Sequence, residues 1–233
     1  MSILKNIKFG ILFGFILTAV VNSFASPTLW KIQSQTSDIY LFGSIHVGNS
    51  SMYPLAPKIN QAYSQSDNLV VEVDILSPES LKSIGWLWLN GTMKDHQTLK
   101  NVLDTETFKL LQKTLEIYKV PYSSMQNLKP WIVALNLSNL NMTAENLSPQ
   151  LGIDFHFLRR AHAEHKNILQ FETASEQLGY FDTLPIDQQS QFLKGTLEQM
   201  ISDEAIITNL LKFWKSGNQL ELRNRLLNGT FQF

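Results

Sequence analysis

Three short apolar runs, rich in β-branched and aromatic residues, set the frame of this chain: "IYLFGSIH" (residues 39–46), "NLVVEVD" (68–74) and "NILQFET" (167–173). Runs of this length with this composition read as strands. Between the first two lies "PLAPKINQAYSQSD", which Pro57 opens as a helix of two or three turns. Strand, helix and strand so close together make a right-handed βαβ unit with parallel strands. A fourth run, residues 29–32, is joined to the first by the polar "QSQTSD" and is expected as a hairpin partner or edge strand.

The middle of the chain is helical in pattern. Ser77 caps and Pro78 opens "SPESLKSIGWLWLN". Phe108, Leu111, Leu115 and Tyr118 share one helical face, which Pro121 closes. Two further helices follow in "MQNLKPWIVALNLSNLNM" and "GIDFHFLRRAHAEH", and residues 175–227 are again helical. The expected fold class is therefore α/β: a mostly parallel central sheet, a large helical insertion and a helical C-terminal part.

The first 25 residues read separately. Lys5 and Lys8 precede an apolar run over residues 9–21, and Ser23 and Ala25 supply small residues, as in a secretory signal peptide cut after Ala25. That run is shorter than the ~20 residues a spanning helix needs. The expectation is one periplasmic or secreted domain over residues 26–233, with no stable membrane span after cleavage. The chain has no cysteine, which excludes disulfides, thiolate metal sites and a cysteine nucleophile together. A formal net charge of −1, with no clustering of Lys and Arg, excludes nucleic acid as a partner.

Parallel strands deliver their carboxyl ends to one edge, where open α/β folds bind ligands. His46 ends the first run, Glu72 and Asp74 the second and Glu172 the third, so all four are expected around one crevice. Each has a plainer use. A histidine after a strand can be a hydrogen-bonded structural residue. Glu72, set between valines on a strand that reads as buried, needs a cation or a proton, and Arg159 or Arg160 would supply the former. Asp154 stands at a helix start, where capping alone would account for it. His156 lies beyond it on the same helix, facing crevice or solvent, and His96, His162 and His165 read as surface residues. The "WLWL" cluster at residues 86–89 reads as an aromatic helix packed on the sheet. No G-x-S-x-G elbow, phosphate loop or H-E-x-x-H helix is present.

Four stretches in order carry a resemblance: "LFGSIHVGNSSMYPL" with G-x-x-H from Gly43 to His46, "NLVVEVD" with Glu72, "LKPW" at residues 128–131, and "GIDFHFLRRA" from Gly152, followed by "ILQFET" and Gln177. Together they resemble the TraB/GumN family, related to the Tiki metalloproteases and more distantly to ChaN-like haem-binding and erythromycin-esterase-like proteins. The resemblance implies a ChaN/Tiki-like fold and a metal-dependent, peptidase-like hydrolase acting on a peptide or small molecule. It further implies a divalent ion, with manganese, cobalt and zinc undistinguished, held by His46, Glu72 and His156. Glu72 and Glu172 would be the catalytic acids, and Gly43, Gly152, Asp154 and Gln177 further motif positions. Members of the family carry a second G-x-x-H near their C-terminus. This sequence contains none, and is expected as a C-terminally shortened form, either hydrolase, non-catalytic binding protein or degenerate member.

Overall fold

A computed structural model describes residues 24–202 and 206–228. The expected signal sequence lies almost wholly outside the described residues. Strand β1 (Leu29–Gln33) turns through Ser34–Ser37 into β2 (Asp38–Phe42). Helix α1 (Pro57–Gln65) leads into β3 (Asn68–Val71), and a helical block follows: α2 (Pro78–Asn90), α3 (Leu99–Val102), α4 (Thr105–Ile117) and α5 (Pro130–Ala144). Helix α6 (Ile153–Ala163), strand β4 (Asn167–Gln170) and helices α7 (Ala174–Asp182), α8 (Ile186–Ile201), α9 (Ile206–Ser216) and α10 (Gln219–Asn228) complete the order. No helix among the described residues is long and apolar enough to cross a membrane.

The mixed α/β class expected from the sequence is present, with a different sheet. Among the described residues β1 and β2 form an antiparallel hairpin, pairing Leu29 with Phe42 and Gln33 with Asp38. Separately, β3 and β4 pair in parallel, Asn68 with Asn167 through Val71 with Gln170. The hairpin was legible from its polar turn; the βαβ unit expected of β2, α1 and β3 does not form a paired sheet among the described residues, and the parallel partner of β3 is β4 instead. The expected hydrogen bonding of β2 into the β3–β4 sheet is not made. The strands are also shorter than their apolar runs: β2 stops at Phe42, four residues before His46, and β4 stops at Gln170.

Two cores hold the molecule. The first joins strands to α1, α6 and α9: Ile59, Tyr63, Ile153, Phe157, Leu211 and Trp214 are buried against Leu29, Phe42 and Leu69. Phe42 meets Phe157 edge-on at 6.0 Å and lies 6.0 Å from Trp214. The second lies between α3, α4, α5 and α8, where Leu99, Leu111, Val133, Leu137, Leu193 and Leu197 are wholly or almost wholly buried.

The "LKPW" stretch belongs to the junction of these parts. Pro130 opens α5, where its missing N–H costs nothing. Lys129 Nζ and the buried Trp131 Nε1 both donate to Asp182 Oδ1 at the end of α7, at 2.6 and 3.0 Å. Trp131 stacks on Phe181 at 5.9 Å and packs against Trp86 at 6.4 Å. Trp86 of the "WLWL" region thus packs α2 against α5, and α2 also lies against α7.

Candidate functional site

His46 reaches its place through a glycine. Helix α6 begins directly beneath the His46 backbone: Ile153 N donates to Ile45 O at 2.9 Å, and Gly152 is the residue flanking the helix start. A Cβ built on Gly152 would stand 2.6 Å from the His46 carbonyl carbon and nearer still to its oxygen. Only a residue without a side chain allows that approach. On the other flank, Trp214 Nε1 donates to Gly43 O at 2.7 Å, so the last helices clamp the start of the G-x-x-H segment.

This close approach sets Asp154, the second residue of α6, beside His46. Its Oδ2 lies 2.8 Å from His46 Nδ1, joining residues 108 apart in the chain. Asp154 does not cap α6 through a bond to a later amide; it takes bonds from His46, from the Ser44 hydroxyl and from its own backbone N–H. Burial pushes its carboxyl upward, but these bonds and the nearby imidazole hold it below the usual range. The Asp154 bond raises the basicity of His46, partial desolvation opposes it, and the charges of Asp154 and Glu72 add to the rise. The imidazole side chain is 70% exposed, so its remaining nitrogen, Nε2, is open. An imidazole fixed at one nitrogen by a carboxylate and free at the other is the arrangement that both general bases and metal-bound histidines use.

Glu72 and Glu172 come together as the parallel pairing demands. Glu72 follows β3 directly, and its carbonyl accepts from Phe171 N and Glu172 N, each at 3.1 Å. Gln177 Nε2, one turn into α7, donates to Glu172 Oε1 at 3.2 Å, uniting two of the motif positions. Glu72 itself is exposed, which corrects the expectation of a buried carboxylate there. Nor does it draw on α6 for an arginine: Arg160 Nε pairs with Glu164 at 2.7 Å.

The buried acid of the "VVEVD" stretch is instead Asp74, 7% exposed. Its carboxylate meets His162 Nε2 at 2.9 and 3.0 Å, and its Oδ1 accepts from Leu76 N. His162 is exposed, as expected of a surface residue, and pairs with Asp74 from that surface. His96 and His165 adopt left-handed backbone conformations, with φ of 55° and 54°, and serve as turn residues.

His156 points elsewhere. Two positions along a helix turn a side chain by ~200°, so His156 leaves the side of α6 that Asp154 occupies and packs on Tyr53 and Phe157, each at 5.0 Å. Burial, with Arg159 and Arg160 nearby, lowers its basicity. Among the described residues no group of three or more His, Asp or Glu side chains is placed to hold a metal ion.

A cleft of about 1030 Å³ opens between the two sheets. All of β2 and all of β3 line it, with Ser44, Glu72 and Asp154 where the two strands end and Phe157 and Tyr63 at its floor. The cleft thus reaches Asp154 at the carboxyl ends of β2 and β3, and His46, bonded to Asp154, stands beside it without lining it.

A family model described as TraB/PrgY/gumN matches residues 28–232. Among curated proteins, the chain is 23% identical over 175 residues to the uncharacterized protein YbaP of Escherichia coli (strain K12), covering 75% of this chain and 63% of the relative. The uncharacterized YbaP of Shigella flexneri matches to the same extent. This chain therefore spans less than two thirds of the length of the curated relatives it matches. No solved structure matches.

Proposed function

On the premise that this chain belongs to the TraB/PrgY/gumN family, we propose that it is an exported, hydrolase-type domain centred on His46. The observation that carries this reading is the 2.8 Å bond from Asp154 to His46 Nδ1, which leaves Nε2 open beside the cleft with Glu72 close enough to bias its charge. In the proposed reaction Nε2 takes a proton from water as the oxygen attacks a carbonyl carbon. Asp154 holds the tautomer and stabilises the imidazolium. The imidazolium then returns the proton to the leaving group, so the step consumes one water and regenerates the base. Glu72 adds negative charge near the imidazolium, and Glu172, bonded by Gln177, is tied to the Glu72 backbone. The substrate class is a peptide or a small ester or amide.

A resident divalent ion is a poorer fit to these residues. His46 offers one nitrogen and Glu72 one carboxylate, His156 faces away, and a catalytic ion wants about three protein ligands. No step is routed through a metal here. A ChaN/Tiki-like relationship belongs to the same proposal and draws support from the family match. The scarcity of ligands favours a second reading, a non-catalytic binding domain that keeps the crevice.

The test is turnover of a panel of chromogenic esters and peptide anilides by the purified chain, by His46→Gln and by wild type with EDTA or added manganese. The proposal expects turnover that EDTA spares and His46→Gln lowers at least 100-fold. Turnover that requires manganese would restore the metal. A folded chain with no turnover on any substrate would favour the binding reading.

A further inference from the structure

The cleft has the form of a missing strand. Every residue of β2 and β3 lines it, whereas Leu29 is the only residue of β1 and none of β4 does, so the cleft runs along the edges of β2 and β3 that are unpaired among the described residues. Two such edges facing one space are each a template for main-chain hydrogen bonds. The side chains on one face are apolar and unusually open: Ile39 is 53% exposed, Leu41 51% and Val70 51%. Trp30 and Ile32 continue that face on the hairpin, Leu169 and Phe171 beside β3.

We infer that this cleft binds an extended polypeptide segment, alternately apolar and bearing basic residues, which enters between β2 and β3 as a strand and joins the two sheets. Three observations select this occupant. First, a strand with sheet on both sides needs two free edges, and every strand among the described residues already has one edge paired, so a second copy's strands do not fit the slot. Second, the outward row of Ile39, Leu41 and Val70 calls for apolar side chains at every second position of the incoming strand. Third, the lining contains Asp38, Asp67, Glu72 and Asp154 but no Lys, Arg or His. Asp38 is already paired with Lys31 at 2.9 Å, and Asp154 with His46. That leaves Asp67 and Glu72, immediately before and after β3, to meet a cation at each end of the segment. The inference stands on strand edges and charge, and does not depend on hydrolysis at His46.

The probe is an acetylated, amidated seven-residue peptide alternating valine and threonine with lysine at both ends, labelled for fluorescence anisotropy against the whole chain. The expected result is saturable binding at one peptide per chain. N-methylation of either alternate set of backbone amides should weaken it at least tenfold, because successive amides of a strand point to opposite edges. Lysine-to-glutamate exchange in the peptide should also weaken it at least tenfold at low salt. Val70→Lys, at an exposed position, should leave the melting temperature unchanged and weaken the lysine-ended peptide at least tenfold. Hydrogen exchange should slow in both β2 and β3 when the parent peptide is bound. Absence of binding, indifference to N-methylation, dependence on only one of the two amide sets, or protection confined to one strand would each overturn the inference.

Discussion

Replacing Gly152 by alanine should disturb both the stability of the domain and the geometry of His46, and the size of each effect follows from the contact beneath the G-x-x-H segment. The added methyl carbon would stand 2.6 Å from the His46 carbonyl carbon and 3.0 Å from Pro149 O, both of them backbone atoms. Cβ atoms are essentially never found nearer than 3.0 Å, so the His46 backbone has to retreat by more than about 0.4 Å. Overpacking of this kind costs about 1–3 kcal/mol, which for a domain of this size lowers the melting temperature by about 2–12 °C. The same retreat lengthens the 2.8 Å bond between His46 and Asp154. Thermal unfolding followed by circular dichroism measures the first effect, and the His46 ring resonances in a histidine-labelled NMR spectrum measure the second. Gly43→Ala is the control, because a Cβ there meets nothing within 4 Å. An unchanged melting temperature together with unchanged His46 resonances in Gly152→Ala would refute the claim that this glycine seats the histidine.

Other expectations follow from the same contacts. Titration of His46 by NMR should show an apparent pKa above its ordinary value of 6.5, falling in Asp154→Asn as the main cause of the rise is removed. The raised His46 value stabilises the fold fully below about pH 6.5 and ceases to do so as pH rises through the folded-state value. The lowered Asp154 value stabilises it above its ordinary 3.8 and is lost as pH falls through its folded-state value. The pair therefore helps most between these limits, and denaturant midpoints measured across that range should flatten in Asp154→Asn. Asp182→Ala leaves the buried Trp131 Nε1 without its acceptor and should cost about 1–3 kcal/mol in urea unfolding. Gly195→Ala, in the middle of α8 with open space around the new Cβ, should raise stability by about 0.5–1 kcal/mol in the same assay. Trp214→Phe keeps the packing but removes the bond to Gly43 O, for a loss of about 0.5–1.5 kcal/mol.

Local patterns in the chain were enough to define the β1–β2 hairpin and the helical block, which follow from neighbours in sequence. The one crossover they offered, from β2 through α1 to β3, does not close into a paired sheet among the described residues, and β3 pairs with β4 across the helical block instead. The same patterns misplaced the buried acid. Alternation along "VVEVD" would bury Glu72 with Asp74 or Val71 with Val73, but β3 ends at Val71, and beyond it the chain turns so that the adjacent Val73 and Asp74 are both buried. They also read Asp154 as a possible cap and gave His162, which is indeed exposed, no partner, since the partners of the two lie 108 and 88 residues away.

What the amino-acid order alone determined, then, is which segments become strands and helices and which polar residues stand at their ends, because periodicity, proline and capping act over a few residues. Only the tertiary structure decided that Asp154 and not His156 faces His46, that Asp74 takes His162, and that β2 and β3 stand apart across a cleft. Those outcomes depend on how α6 lies against the strands, and that angle is set by the closeness Gly152 allows and by the packing of Phe42, Phe157 and Trp214 in the shared core.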